Sequence, residues 1–161
     1  MGREGNAANC ARPRSNRMST DLYFAYGSNL CAERLRERVP SASARGAARA
    51  TGFALRLDKR GADGTAKANL HLAPGDEVWG ALYALDPGDW PRLDACEPGY
   101  ARFALEVEHV GARVSAQTYR SALLTGDPVA AVWYKQLIVD GARAHALPAA
   151  WCARLERLPA R

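Results

Sequence analysis

Glu97 is the residue of this chain best placed to move a proton. It follows an apolar helical pattern carrying Trp90 and Leu93, and Pro98-Gly99 comes directly after it. A residue before proline is disfavoured in the α region, so the helix should stop here. The carboxylate then sits at the helix C-terminus, whose partial negative charge disfavours ionisation. Burial acts in the same direction. A raised proton affinity suits a group that accepts a proton and later returns it. The second chemical feature is Gly27-Ser28-Asn29. An apolar, aromatic-rich run over residues 22–26 ends abruptly in these three residues, and a charged helical pattern follows. Successive N–H groups in such a loop converge on one point and form an anion or oxyanion site. Gly27 has no Cβ and lets the backbone approach a ligand closely. Tyr26, Tyr100 and Tyr119 are candidates for hydroxyl contacts; the competing reading, even for Tyr26 and Tyr119 and stronger for Tyr100, is a buried aromatic with its hydroxyl satisfied.

Other chemistries find less support. Ser28 lacks the final glycine of a G-x-S-x-G nucleophile elbow. His71, His109 and His145 fall on three separate elements without metal-ligand spacing. Cys96 neighbours Glu97, but a small buried hydrophobe is the better reading of an isolated thiol. The cysteines at 10, 31, 96 and 152 are scattered, with no C-x-x-C pair. They outline neither a zinc site nor a disulfide framework, and a reducing cytoplasm is the expected compartment. No dinucleotide fingerprint, phosphate-binding loop or H-E-x-x-H motif is present, so no cofactor and no metal are expected.

The segment Leu22-Tyr23-Phe24-Ala25-Tyr26-Gly27-Ser28-Asn29-Leu30 resembles the Tyr-Gly-Ser-Asn signature of the γ-glutamylcyclotransferase family. The segment Leu93-Asp94-Ala95-Cys96-Glu97-Pro98-Gly99-Tyr100-Ala101-Arg102 is similar to the family's second signature, an acid followed by glycine, tyrosine and a basic residue. The family places glycine directly after the acid; here Pro98 intervenes and glycine falls at 99. Further similarity runs in order along the chain: Arg34 in the helix after the loop, Pro74 to Gly80, Thr118-Tyr119, Tyr134-Lys135 and Leu147-Pro148. The resemblance implies cyclisation of a γ-glutamyl group to 5-oxoproline with release of the attached amine. It implies Glu97 as catalytic acid and base. Tyr26, Gly27, Ser28, Asn29, Leu30, Tyr100 and Tyr119 would contact a small γ-glutamyl substrate. Arg34 would position the loop or touch substrate, and it reads equally as a solvated arginine on the helix face. The competing reading is a non-catalytic module that binds such ligands in the same pocket.

These residues need a frame to hold them. Strands are expected over residues 22–26, 49–58, 67–72 and 77–85, the last two joined by a Pro74-Gly75-Asp76 turn. A hairpin is expected from 103–110 and 113–123 across Gly111-Ala112. Helices are expected over 31–39, from Asp86-Pro87 to Cys96, from Asp127-Pro128 to a closing Gly141, and from Pro148 onward. Residues 59–66 read as a flexible loop. Strands outnumber the helical crossovers a parallel sheet needs, so the expected class is α+β: a small twisted mixed sheet or β-barrel with flanking helices. Residues 1–20 read as a disordered tail, with Met18 a possible true start, ahead of one domain over 21–161. The net charge of +5 resides at the ends: residues 1–20 and 141–161 carry +3 each, and 21–140 carries −1. That distribution argues against a nucleic-acid-binding face. No apolar run approaches a membrane span. A monomer or a homodimer is equally compatible with the sequence.

Overall fold

A computed structural model describes residues 19–161. The expected tail lies outside the described residues except for Ser19 and Thr20. The fold is a closed five-stranded barrel in the order β1-β3-β2-β4-β5, flanked by four α-helices. The strands are β1 (Asp21–Ala25), β2 (Ser43–Arg60), β3 (Ala66–Leu85), β4 (Ala101–His109) and β5 (Ala112–Arg120). The helices are α1 (Ala32–Arg38), α2 (Trp90–Ala95), α3 (Val132–Ala144) and α4 (Ala149–Glu156). All neighbours pair antiparallel except β1 and β5, which close the barrel in parallel at Tyr23 and Gln117. The expected α+β class and barrel are what the chain forms. No helix among the described residues is long and apolar enough to cross a membrane.

Successive strand residues point to opposite faces, so the consecutive burial of Tyr23, Phe24 and Ala25 means that β1 is covered on both sides. Phe24, Val78, Leu82, Tyr83 and Val107 are fully or almost fully buried members of one continuous core. The 3-10 turn Ser28–Leu30 continues directly from β1 and packs beneath α3.

Several elements differ from expectation for identifiable reasons. β2 starts at Ser43, six residues early, because its alanine-rich first half is zipped against residues 77–84 of β3. At its other end it reaches Arg60, so the connecting loop shrinks to residues 61–65. Pro74-Gly75-Asp76 does not separate two strands. Thr51 pairs with Glu77 and Phe53 with Leu72, so the segment bulges out of one continuous β3, with Gly75 at φ +86°. The hairpin turn is Val110-Gly111, both at positive φ, the arrangement of a two-residue type I′ loop. β5 stops at Arg120, three residues short of its expected end. Asp127-Pro128 does not open α3. The Ala66 amide donates to the Val129 carbonyl, and Ala130 exchanges backbone hydrogen bonds with Pro159 and Arg161. This segment is therefore extended, held between β3 and the C-terminal residues, and α3 begins at Val132. Gly141 does not close α3 either: it lies inside the helix, where it meets the signature turn.

Candidate active site

Two loops about 70 residues apart in the sequence meet over the barrel. The first is Tyr26 to Leu30, thrown off the end of β1. The Leu30 amide donates back to the Gly27 carbonyl at 3.0 Å and closes the turn. The first N–H groups of such a turn have no acceptor within it and remain available to a ligand. A Cβ at Gly27 would lie 3.2 Å from the Ala68 Cβ and 3.5 Å from the Tyr134 hydroxyl. Glycine here keeps the loop close to the barrel. Gly141 of α3 is tighter still, since a Cβ there would lie 2.5 Å from the Leu30 carbonyl carbon. His145 reaches the same carbonyl with Nε2 at 2.9 Å, and the Tyr83 hydroxyl donates to it at 3.3 Å. The Tyr83 hydroxyl and His145 Nε2 also lie 2.7 Å apart, so the three groups form one small polar network.

The second loop follows α2. The Glu97 amide donates to the Asp94 carbonyl at 3.1 Å, and the Tyr100 amide donates to the Glu97 carbonyl at 3.2 Å. Glu97 therefore lies just past the helix end, as its position before Pro98 requires. Lys59 Nζ donates to the Pro98 carbonyl at 2.9 Å and Ser121 Oγ to the Gly99 carbonyl at 2.6 Å. Gly99 takes φ +78° and completes the reversal.

The two loops are joined by their side chains. Asn29 Nδ2 donates to Glu97 Oε1 at 2.8 Å and to the Tyr23 hydroxyl at 2.9 Å. Arg38 Nη1 donates to the same Glu97 oxygen at 3.0 Å and to Asn29 Oδ1 at 3.1 Å. The Glu97 side chain is only 15% exposed. Burial pushes its carboxyl above the usual glutamate range, opposed by Arg38, the Asn29 hydrogen bond, Arg34 and Lys59.

A small, narrow cleft opens between the loops. Its walls include Glu97, Tyr26, Gly27, Ser28, Asn29, Tyr100 and Tyr119, together with Tyr23, Ala68 and Tyr134. Seven of the eight residues singled out from sequence thus share one cavity. Leu30 stands apart: its side chain is fully buried and its carbonyl is occupied as described. The tyrosine hydroxyls serve the scaffold. Tyr26 donates to the Tyr119 carbonyl at 2.6 Å, Tyr100 to the Ala68 carbonyl at 2.7 Å, and Tyr119 to Asp94 Oδ1 at 2.7 Å. Their rings form the apolar walls. Burial raises the proton affinity of all three phenols and holds them neutral. Tyr134 accepts from the Ala68 amide at 3.0 Å, and burial raises its phenol to about 12.

Arg38 and Tyr134 carry no such assignment in the sequence reading. Arg38 had one usable signal, its placement four residues after Arg34 on the same helix face. The cleft opens outward into a larger basin. Arg34, Lys59, Gly61, Ala62, Asp63 and Trp133 line it.

Comparison with known proteins agrees with this fold. A family model described as AIG2-like matches residues 77–155. A human γ-glutamylcyclotransferase is 32% identical over 151 residues, covering 85% of this chain and 78% of its own. The chain belongs to the γ-glutamylcyclotransferase family. A mouse γ-glutamylcyclotransferase is 33% identical over 150 residues, covering 86% of this chain and 79% of its own. A solved γ-glutamyl cyclotransferase structure superposes with a TM-score of 0.82 at 27% identity, covering 89% of this chain and 90% of that one.

Proposed function

We propose that this protein cyclises a γ-glutamyl group to 5-oxoproline and releases the attached amine, with Glu97 as the single acid and base. The observation that carries this reading is the Glu97 carboxylate, buried and held at 2.8 Å by Asn29 of the Gly-Ser-Asn turn. An acid and a row of backbone donors therefore flank one small cleft.

The reaction is intramolecular, so the first requirement is a folded substrate whose α-nitrogen lies against its own γ-carbonyl. The aromatic walls from Tyr26, Tyr100 and Tyr119 suit that confinement. Glu97 accepts a proton from the α-ammonium. The freed amine attacks the γ-carbonyl carbon, and the carbonyl oxygen becomes an oxyanion. Backbone N–H groups around Gly27-Ser28-Asn29 are the candidate donors to either this oxyanion or the substrate α-carboxylate. Glu97 then returns its proton to the leaving nitrogen, the oxyanion re-forms the carbonyl as the old C–N bond breaks, and the ring nitrogen gives up its second ammonium proton through the freed Glu97 carboxylate to leave the neutral lactam. Burial favours this cycle because a carboxyl with raised proton affinity takes up a proton more readily than an ordinary glutamate.

The test is incubation with a panel of γ-glutamyl-amino acids and γ-glutamyl-amines, with 5-oxoproline measured by mass spectrometry. Glu97→Gln should retain its fold and lose about 10²- to 10⁴-fold in turnover, the usual contribution of a positioned acid–base group. Full activity in that variant overturns the assignment. Binding of γ-glutamyl ligands with no 5-oxoproline from the native protein would identify a binding module instead.

A further inference from the structure

The outer basin holds an imbalance of charge. Arg34, Arg38, Lys59 and Lys67 line it, against the carboxylates of Glu97 and Asp63. Arg38 is paired with Glu97 at 3.0 Å and Lys67 with Asp63 at 2.9 Å. Lys59 and Arg34 have no carboxylate partner among the described residues. Lys59 is 6% exposed, and its ammonium makes one hydrogen bond, to the Pro98 carbonyl. An ammonium has three N–H donors, so Lys59 has donors to spare. Arg34 Nε is buried without a hydrogen-bond partner, and its guanidinium lies over the Trp133 ring at 5.8 Å. Both residues line the basin, and a carboxylate there would accept charge-assisted hydrogen bonds from the Lys59 ammonium and from the guanidinium N–H groups of Arg34 other than the enclosed Nε.

The position of this imbalance gives it meaning. The basin shares Ser28, Glu97, Tyr100 and Tyr134 with the inner cleft. On the cyclisation reading, on which this inference rests, the γ-glutamyl group fills the cleft and its substituent projects into the basin. Two unmatched cations call for two negative charges. We propose that the basin is a leaving-group subsite for an acidic α-amino acid. Arg34 and Lys59 receive its two carboxylates, and Lys67 reinforces the field. γ-Glutamyl conjugates of dicarboxylic amino acids are then the preferred substrates, ahead of conjugates releasing a neutral amino acid and far ahead of those releasing an alkylamine.

The experiment compares γ-glutamyl-glutamate, γ-glutamyl-alanine and γ-glutamyl-butylamine on the full chain at low and high salt. kcat/KM should fall in that order, by about tenfold per carboxylate lost, as expected for partly buried charged hydrogen bonds. Added salt should narrow the spread. Arg34→Gln and Lys67→Gln should each compress the glutamate-to-butylamine ratio, and Arg34→Lys should restore part of it. A ratio within about twofold of unity, or variants that slow all three substrates equally, overturns the subsite. Calorimetry on Glu97→Gln separates this inference from the activity itself. Should no compound yield 5-oxoproline, the cyclisation reading fails. Tighter binding of γ-glutamyl-glutamate than of γ-glutamyl-butylamine would still support the anionic subsite, and equal affinities would overturn it.

Discussion

The Arg38 guanidinium and the Glu97 carboxylate meet at 3.0 Å, and Arg38 also donates to Asn29, which itself donates to Glu97. Three residues from three loops or helices thus close a ring of hydrogen bonds around one carboxylate oxygen. Burial alone would push Glu97 far toward the neutral acid; the ring opposes this and keeps the carboxylate accessible as a base. The two effects act on one group in opposite directions, and the balance is an intermediate proton affinity.

Removing Arg38 should therefore move the pH profile. The base form of Glu97 starts the reaction, so kcat/KM falls as pH drops through its pKa. Arg38 lowers that pKa and burial raises it. Arg38→Gln removes a lowering influence, and the acidic limb should shift to higher pH. Arg38→Lys keeps the charge but replaces the rigidly held Nη1 that serves both Asn29 and Glu97 with a flexible ammonium, so its limb should fall between the two. Profiles measured with one γ-glutamyl-amino acid settle the matter; an unmoved limb in Arg38→Gln means that the group titrating in the rate is not Glu97.

Much of this site could be read from sequence because its signals are local. The aromatic strand, the Gly-Ser-Asn break and the Glu-Pro-Gly stop each declare a backbone event within a few residues. The pairing of Arg38 with Glu97 spans 59 residues and depends on how α1 docks. The i, i+4 spacing from Arg34 puts Arg38 on the same helix face but does not name Glu97 as its partner. The early half of β2 was hidden for a different reason. Ser43 to Ala50 contains no β-branched or aromatic residue, and strand structure there comes from pairing with β3 and not from propensity. Gly141 was legible as a glycine near a helix end, but its role comes from a turn more than 100 residues away.

Gly141→Ala tests that role. A Cβ at 141 would lie 2.5 Å from the Leu30 carbonyl carbon and 2.7 Å from the Cys31 amide nitrogen. Both are backbone atoms, so the signature turn or α3 must move. Alanine gains up to about 1 kcal/mol in helix propensity, while overpacking costs about 1–3 kcal/mol. A net loss of stability in denaturant unfolding is expected, with turnover falling further because the turn itself is displaced. Gly126→Ala is the control, since a Cβ there meets nothing within 4 Å. Equal stability of the two variants would refute the close packing.

His145 should make the fold sensitive to mild acid. Burial lowers its imidazole below the ordinary range, only partly offset by the bond to the Leu30 carbonyl. The unfolded chain then binds a proton more readily than the folded one. Stability is fully present above the ordinary histidine pKa of about 6.5 and declines as pH falls toward the lower folded value. Unfolding free energy of the native protein should drop relative to His145→Gln between neutral pH and about pH 5. Parallel pH dependences in the two proteins would remove His145 from the account.

The β4–β5 turn offers a gain in stability. Val110 sits at φ +48° and Gly111 at φ +73°, the left-handed region that a type I′ hairpin requires at both positions. Glycine adopts it freely, but a β-branched side chain does not. Val110 is 88% exposed, so its side chain has almost no packing to lose. Val110→Asn creates the Asn-Gly pair favoured in this turn and should stabilise the protein by about 0.5–1 kcal/mol. The turn lies apart from Glu97 and the cleft, so kcat and KM should not change. A chemical denaturation midpoint equal to or below that of the native protein would show that the hairpin does not hold this backbone conformation in solution.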